Sequence, residues 1–242
     1  LPEQLVVRNE TSYLVNSMEP FTGTTVSYHE NGQLRYTGIF KDGKEDGLHE
    51  NYFKNGQLEE RTNYKNGELH GLHETYYENG QLFYRQNYKD GKQDGLWETY
   101  YENGQLVDTG NYKNGELDGL QEWYYENGKL KTKGNFKNGE LDGLFELYDE
   151  NGQLESKSNY KDGKQDGLSE TYYVNGQLES KRNYKDGELD GLWETYYENG
   201  KLKSKGNFKD GEIDGSEYFY ENGQLKGKIK DGVMERYDEN GL

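Results

Sequence analysis

Residues 191–214 read GLWETYYENGKLKSKGNFKDGEID, and this stretch decides the fold. It holds two turn dipeptides, Asn199-Gly200 and Asp210-Gly211. Asn-Gly and Asp-Gly suit type I′ turns, because both central residues need positive φ and the turn twist matches that of the flanking strands. Stretches of nine and eleven residues, rich in Tyr, Thr, Phe and Leu, lie between successive turns. They are strand-sized and carry no helical period. The 24-residue stretch is therefore predicted to be a β-hairpin leading into the next.

Working outward, the stretch is one copy of many. Gly23, Gly47, Gly71, Gly95, Gly119, Gly143, Gly167, Gly191 and Gly215 recur every 24 residues, and Asn-Gly turns recur from Asn31-Gly32 to Asn240-Gly241. Hairpins in tandem make a meander, so the fold class is all-β, an elongated single-layer antiparallel sheet of tandem 24-residue hairpins. At about 4.8 Å per strand each repeat advances roughly 10 Å, and nine would give a sheet on the order of 90 Å long. Only neighbouring repeats touch in such an array, and its ends should be atypical. Residues 1–22 lack the repeat and read as an N-terminal cap, residues 23–225 are the array, and residues 226–242 are a shortened, degenerate copy.

A two-residue turn at Asn199-Gly200 sets Glu198 opposite Lys201, Tyr197 opposite Leu202, Glu194 opposite Lys205 and Trp193 opposite Gly206. The Glu–base pairing recurs as Glu50 with Arg61, Glu74 with Arg85, Glu122 with Lys133, Glu146 with Lys157 and Glu170 with Lys181; only Glu98, opposite Thr109, breaks it. A slip of one residue would destroy every such pair, so the pattern supports the register.

Composition agrees with a thin core. Only 30% of the 242 residues are apolar, yet there are 24 Tyr, 8 Phe and 3 Trp, too many rings for a disordered chain. The net charge of −17 repels phosphate backbones and anionic headgroups, which argues against nucleic acid and membrane lipid as ligands. With no Cys there are no disulfides or thiolate metal sites, which fits cytoplasm and periplasm alike. The sequence begins at Leu1 rather than Met, a slight lean towards an exported protein.

The pattern Gly-Leu-x-Glu-x-Tyr-Tyr-Glu-Asn-Gly-Gln-Leu followed by Asn-Tyr-Lys-Asp-Gly resembles the MORN-repeat variant of bacterial antitoxin-like proteins, the YwqK type. Pro20-Phe21-Thr22-Gly23 resembles the way such arrays begin, and the likeness covers residues 20–242. The resemblance implies an elongated β-scaffold used for interactions, with no shared catalytic residues.

Catalysis has little to draw on, with four His, no Cys and no Gly-x-Ser-x-Gly elbow, and no cofactor is expected. Asp46, Asp94, Asp118, Asp142, Asp166, Asp190 and Asp214, with His70 once, form an acidic ladder whose oxygens could collect Ca²⁺. An Asp at a strand start facing an Asn amide, as Asn87 faces Asp94 and Asn207 faces Asp214, is satisfied without metal, and none is expected. Rows of aromatic residues repeat almost unchanged, one of them from Tyr28 through Tyr196 to Tyr237, and read as core. Two slots vary. The first holds His49, His73, Trp97, Gln121, Phe145, Ser169 and Trp193, and the second includes Trp123 and Leu147. Trp97, Trp123, Phe145 and Leu147, with Trp193, His49 and His73, are the candidate interface anchors.

The function expected is a non-enzymatic protein-interaction scaffold, an antitoxin-like or immunity-like partner of a protein that is itself basic. The alternative is a secreted or surface-associated module that binds glycan or another extended ligand through its aromatic rows. A homodimer is left open.

Overall fold

The computed structural model describes residues 5–209 and 212–239. Leu1 and the turn dipeptides Asp210-Gly211 and Asn240-Gly241 lie outside the described residues. The chain divides into two units, Leu1–Asp118 and Gly119–Leu242.

The first unit opens with a hairpin of strands Leu5–Arg8 and Thr11–Leu14. Strands Gly23–Tyr28, Leu34–Lys41, Lys44–Tyr52, Leu58–Lys65, Glu68–Tyr76, Leu82–Lys89, Lys92–Tyr100, Leu106–Lys113 and Glu116–Leu117 follow, each antiparallel to the next. The second unit runs Gly119–Tyr124, Leu130–Lys137, Glu140–Tyr148, Leu154–Lys161, Lys164–Tyr172, Leu178–Lys185, Glu188–Tyr196, Leu202–Lys209, Glu212–Phe219, Leu225–Lys230 and Val233–Arg236 in the same manner. Each unit is an open meander of tandem hairpins, and no helix occurs among the described residues. The fold class read from the turns holds.

The two turns of the repeat are different objects. At Asp186-Gly187 both residues have positive φ, 52° and 92°, which is the type I′ turn expected. At Asn199-Gly200 only the glycine does, at 79°. Here Gly200 N–H donates to the Tyr197 carbonyl and Tyr197 N–H to the Lys201 carbonyl, both at 2.8 Å. This is a three-residue loop, a type I turn closed by a glycine bulge, and not the predicted type I′ turn. The register at the tip is corrected with it: Tyr196, not Tyr197, pairs with Leu202. The reason is the Asn side chain. Asn199 Oδ1 accepts from Lys201 N–H at 3.0 Å, which holds the asparagine outside the left-handed region.

The glycine that marks the period has its own role. Gly191 sits at φ 93° in a bulge where residues 190–192 oppose Asn183 alone. The bulge frees the Leu192 carbonyl, and Asn183 Nδ2 donates to it at 3.0 Å. Asn63 and Asn159 do the same for Leu72 and Leu168 at 3.0 and 3.1 Å.

Further struts join one repeat to the next. Tyr77, Tyr125, Tyr173 and Tyr197 each donate a hydroxyl to a backbone carbonyl 22 or 23 residues on, at 2.7–2.8 Å. His29, in the equivalent place, contacts the Tyr52 carbonyl through Nε2 at 2.7 Å. Asn31, Asn55, Asn127 and Asn175 reach the carbonyl of the following loop at 2.8–3.0 Å. A buried carbonyl left without a donor costs about 1–3 kcal/mol, which gives the part-buried Tyr struts a reason to repeat; the Asn contacts are exposed.

The core is thin, as the composition implied. Phe40, 9% exposed, is the one buried apolar residue among those described, while Gln86 and Gln121 are fully enclosed.

Candidate interaction surface

Strand alternation gives every hairpin two faces, and they differ in chemistry. The face of Glu194, Tyr196 and Lys205 is an alternating charge ladder. In the second unit the cross-strand row runs Glu122, Lys133, Glu146, Lys157, Glu170, Lys181, Glu194, Lys205, Glu217, Lys228, Glu235. The predicted facing of Glu and base is present, but the close contacts mostly run to the glutamate of the next hairpin. Lys133 meets Glu146 at 2.6 Å, Lys157 meets Glu170 at 2.6 Å and Lys205 meets Glu217 at 3.0 Å. In the first unit Arg85 pairs with Glu98 in the same way, whereas Arg61 is nearer to Glu50, at 3.0 Å, than to Glu74, at 4.0 Å.

Tyrosines complete the ladder. Tyr172 and Tyr196 donate to Glu170 and Glu194 at 2.8 Å. Burial, and then the Glu194 hydrogen bond, pushes the Tyr196 hydroxyl up to about 12. Burial works to raise the Glu170 carboxyl, but hydrogen bonds from Lys157 and Tyr172 hold it below the usual carboxylate range. These charges and hydroxyls are spent on one another.

The opposite face carries the variable slots. In its central row a large side chain stands opposite a small one: Trp97 faces Gly110, Phe145 faces Gly134 and Trp193 faces Gly206. A Cβ on Gly134 would lie 2.9 Å from Phe145 Cδ2, and one on Gly206 would lie 2.5 Å from Trp193 Nε1. Where the slot holds Ser169, its cross-strand neighbours are Ser158 and Arg182.

Every predicted anchor lies on this face. His49 is 4% exposed. His73, Trp97, Trp123, Phe145, Leu147 and Trp193 are half-buried. The rings pack on the aromatic row beside them, as Trp97 on Tyr112 and Trp193 on Phe208, both at 6.2 Å between centroids. Trp123 on strand Gly119–Tyr124 and Phe145 and Leu147 on strand Glu140–Tyr148 flank strand Leu130–Lys137, with Trp123 and Leu147 both opposite Thr132. Trp97, His49 and His73 belong to the first unit.

In the first unit the row is polar around His49 and His73. His49 Nδ1 is 2.8 Å from the Tyr36 hydroxyl and 3.5 Å from Glu45, and burial followed by Glu45 pushes the Tyr36 hydroxyl up to about 12. His73 Nδ1 meets Thr62 Oγ1 at 2.9 Å, and burial lowers its imidazole below the ordinary value. Burial also raises the Asp108 carboxyl. These groups fill the slot row or flank it.

The acidic ladder caps turns. Asp46 accepts from Asn66 N–H at 3.1 Å, and Asp94 and Asp166 do likewise for Asn114 and Asp186 at 3.3 Å. His70, where the aspartate is replaced, meets Asp90 N–H at 3.5 Å. No group of three or more potential metal ligands occurs among the described residues.

What sequence reading missed is a groove near the end of the second unit. Two adjoining hollows of about 550 and 350 Å³ share Lys203. Between them they are lined by Arg182, Lys203, Lys226 and Arg236, with Glu179 as the acid, amid Tyr173, Tyr197, Tyr218 and Tyr220. Lys203 lies 5.7 Å from the Tyr197 ring centroid and Lys226 lies 5.3 Å from that of Tyr220. The signal was present in the charges. Arg182 is a base in a slot that elsewhere holds Gly38, Thr62, Gln86, Gly110, Gly134, Ser158 and Gly206. Lys226 and Arg236 lie where the 24-residue period breaks, so slot comparison passed over them.

Among solved structures, segments of TcdB2-TccC3 and of TcdB2-TccC3-Cdc42 match. They are 12% and 13% identical, with 87% and 90% of this chain covered and a TM-score of 0.23 in both cases. The chain spans 14% of the length of those chains. No curated protein matches. The MORN repeat variant model matches residues 21–42, 45–66, 69–90, 93–114, 117–138, 141–162, 165–186, 189–210 and 216–229. The chain therefore belongs to the MORN repeat variant family.

Proposed function

We propose that this chain is a non-enzymatic interaction scaffold that captures a protein partner on its slot face, in the manner of an antitoxin-like or immunity-like protein. One observation carries the reading: charge on the ladder face is mostly paired, whereas the slot face near the end of the second unit gathers bases that no carboxylate meets among the described residues. On the ladder face glutamates and bases neutralise one another across the strands. On the slot face Arg182, Lys203, Lys226 and Arg236 have no carboxylate within ion-pair distance among the described residues, and they stand beside half-buried rings. Arg and aromatic residues are what interface centres are made of, whereas a ladder of satisfied pairs gives a partner little to gain. The residue identities also vary on the slot face, which is where discrimination between partners is built.

The net charge of −17 gives a basic partner a long-range attraction, so encounter with the whole surface and docking on one face are separate contributions. The test is affinity capture with the immobilised chain, followed by cross-linking. The expected result is one specific protein whose cross-links fall on slot-face residues. Failure to capture any protein, or cross-links confined to the ladder face, would overturn the reading.

A further inference from the structure

We infer that the groove holding Lys203 takes an extended, acidic polypeptide segment, laid across the strands; the inference rests on the scaffold reading above. The first argument is charge. In a chain with 46 acids and 29 bases, the two hollows reverse the balance, offering four bases against Glu179. None of the four bases is paired with an acid among the described residues, so a ligand's carboxylates would meet free cations. Arg182 and Arg236 offer planar forks suited to bidentate carboxylate binding, and the two lysines offer point charges.

The second argument is what the neutral groups are doing. Tyr173, Tyr197 and Tyr220 all donate their hydroxyls to backbone carbonyls, at 2.7, 2.8 and 3.1 Å. Thr171 and Ser180 hydroxyls bond each other at 2.8 Å. The groove therefore presents ring surface and positive charge, with most of its hydroxyls already engaged. A neutral sugar would leave the four positive charges uncompensated. A peptide bearing Glu or Asp beside apolar side chains matches both kinds of surface.

The third argument is length. The lining residues run from Thr171, on strand Lys164–Tyr172, to Arg236, on strand Val233–Arg236, six strand spacings along one sheet. At about 4.8 Å each that is roughly 29 Å, enough for about nine extended residues.

The test is fluorescence anisotropy on the full chain with a labelled nonapeptide, Glu-Ser-Phe repeated three times. Gln-Ser-Phe and Lys-Ser-Phe repeats and a labelled polygalacturonate serve as comparisons. Saturable binding of the acidic peptide is expected, weakening as salt rises, with the other two peptides at least tenfold weaker. The double variant Lys203→Glu/Lys226→Glu, with circular dichroism and melting unchanged, is expected to bind the acidic peptide at least tenfold less tightly. Should that variant unfold, the salt dependence and the peptide ranking on the wild-type chain decide alone. Equal binding of the Glu and Gln peptides, no saturable binding, or preference for the polysaccharide would overturn the inference. A captured protein partner whose affinity ignores Lys203→Glu/Lys226→Glu would overturn the groove and leave the scaffold reading standing. Capture of no partner would remove the scaffold reading itself.

Discussion

The Tyr173 hydroxyl donates to the Tyr196 carbonyl 2.7 Å away, one repeat further along the chain. The same contact recurs from Tyr77, Tyr125 and Tyr197, so a ring that looks like a ligand platform in the sequence works as a strut between hairpins. Tyr173→Phe keeps the ring and removes the donor. It is expected to cost about 1 kcal/mol, within the range for a carbonyl left without its partner, read as a lower urea midpoint at unchanged slope.

Asp149 occupies the strut position without a hydroxyl. Its carboxylate accepts from Gln153 and Asn151 N–H, both at 2.8 Å, bonds that hold its pKa below the usual carboxylate range. The following Tyr172 carbonyl lacks that strut. Amide exchange should therefore be faster around residues 172–174 than around 196–198, where Tyr173 supplies the donor. Equal protection would show that the struts contribute little.

Filling of the slot row makes a coupling measurable. Gly134→Ala places a Cβ 2.9 Å from Phe145 Cδ2 and 3.0 Å from Leu141 Cδ2. The expected cost is about 1–3 kcal/mol of overpacking. In a Phe145→Ser background the same change should cost markedly less, a non-additivity that a double-mutant cycle reads directly. Additive costs would mean that size complementarity across the row is incidental.

The hairpin plan, the 24-residue period and the central register were legible because each is written in local chemistry: turn dipeptides, alternation, and Glu facing base. The turn type at Asn199-Gly200 was not legible, since the dipeptide serves both turns. What separates them is a side-chain hydrogen bond made two residues on. The face carrying the candidate anchors was recognised, but their fill against Gly110, Gly134 and Gly206 belongs to cross-strand pairs that the slot comparison, made one position at a time, could not see. The groove was missed because its cations come from different slots and from the end of the array where the period fails.

His73 gives a pH dependence with a definite sign. Burial lowers its pKa below the ordinary value of 6.5, so the unfolded chain binds the proton more readily than the folded one. Stability is therefore highest above the unfolded value and is lost as pH falls through about 6.5 towards the folded value. His73→Gln, which places in that slot the residue already enclosed at Gln121, should flatten part of the slope between about pH 7.5 and pH 5.5. Urea midpoints at both pH values check it, and an unchanged slope would assign the pH dependence to other groups.

The absence of cysteine allows a direct test of which face binds, because one thiol can be placed at a time. Arg182 is exposed on the slot face and Leu192, 45% exposed, lies on the ladder face of the adjacent strand. Arg182→Cys and Leu192→Cys are each titrated with a maleimide dye, alone and saturated with the captured partner. Slowed labelling at 182 with labelling at 192 unchanged is the expected result. Protection at 192 with 182 still fully reactive would contradict the assignment of the slot face as the binding surface.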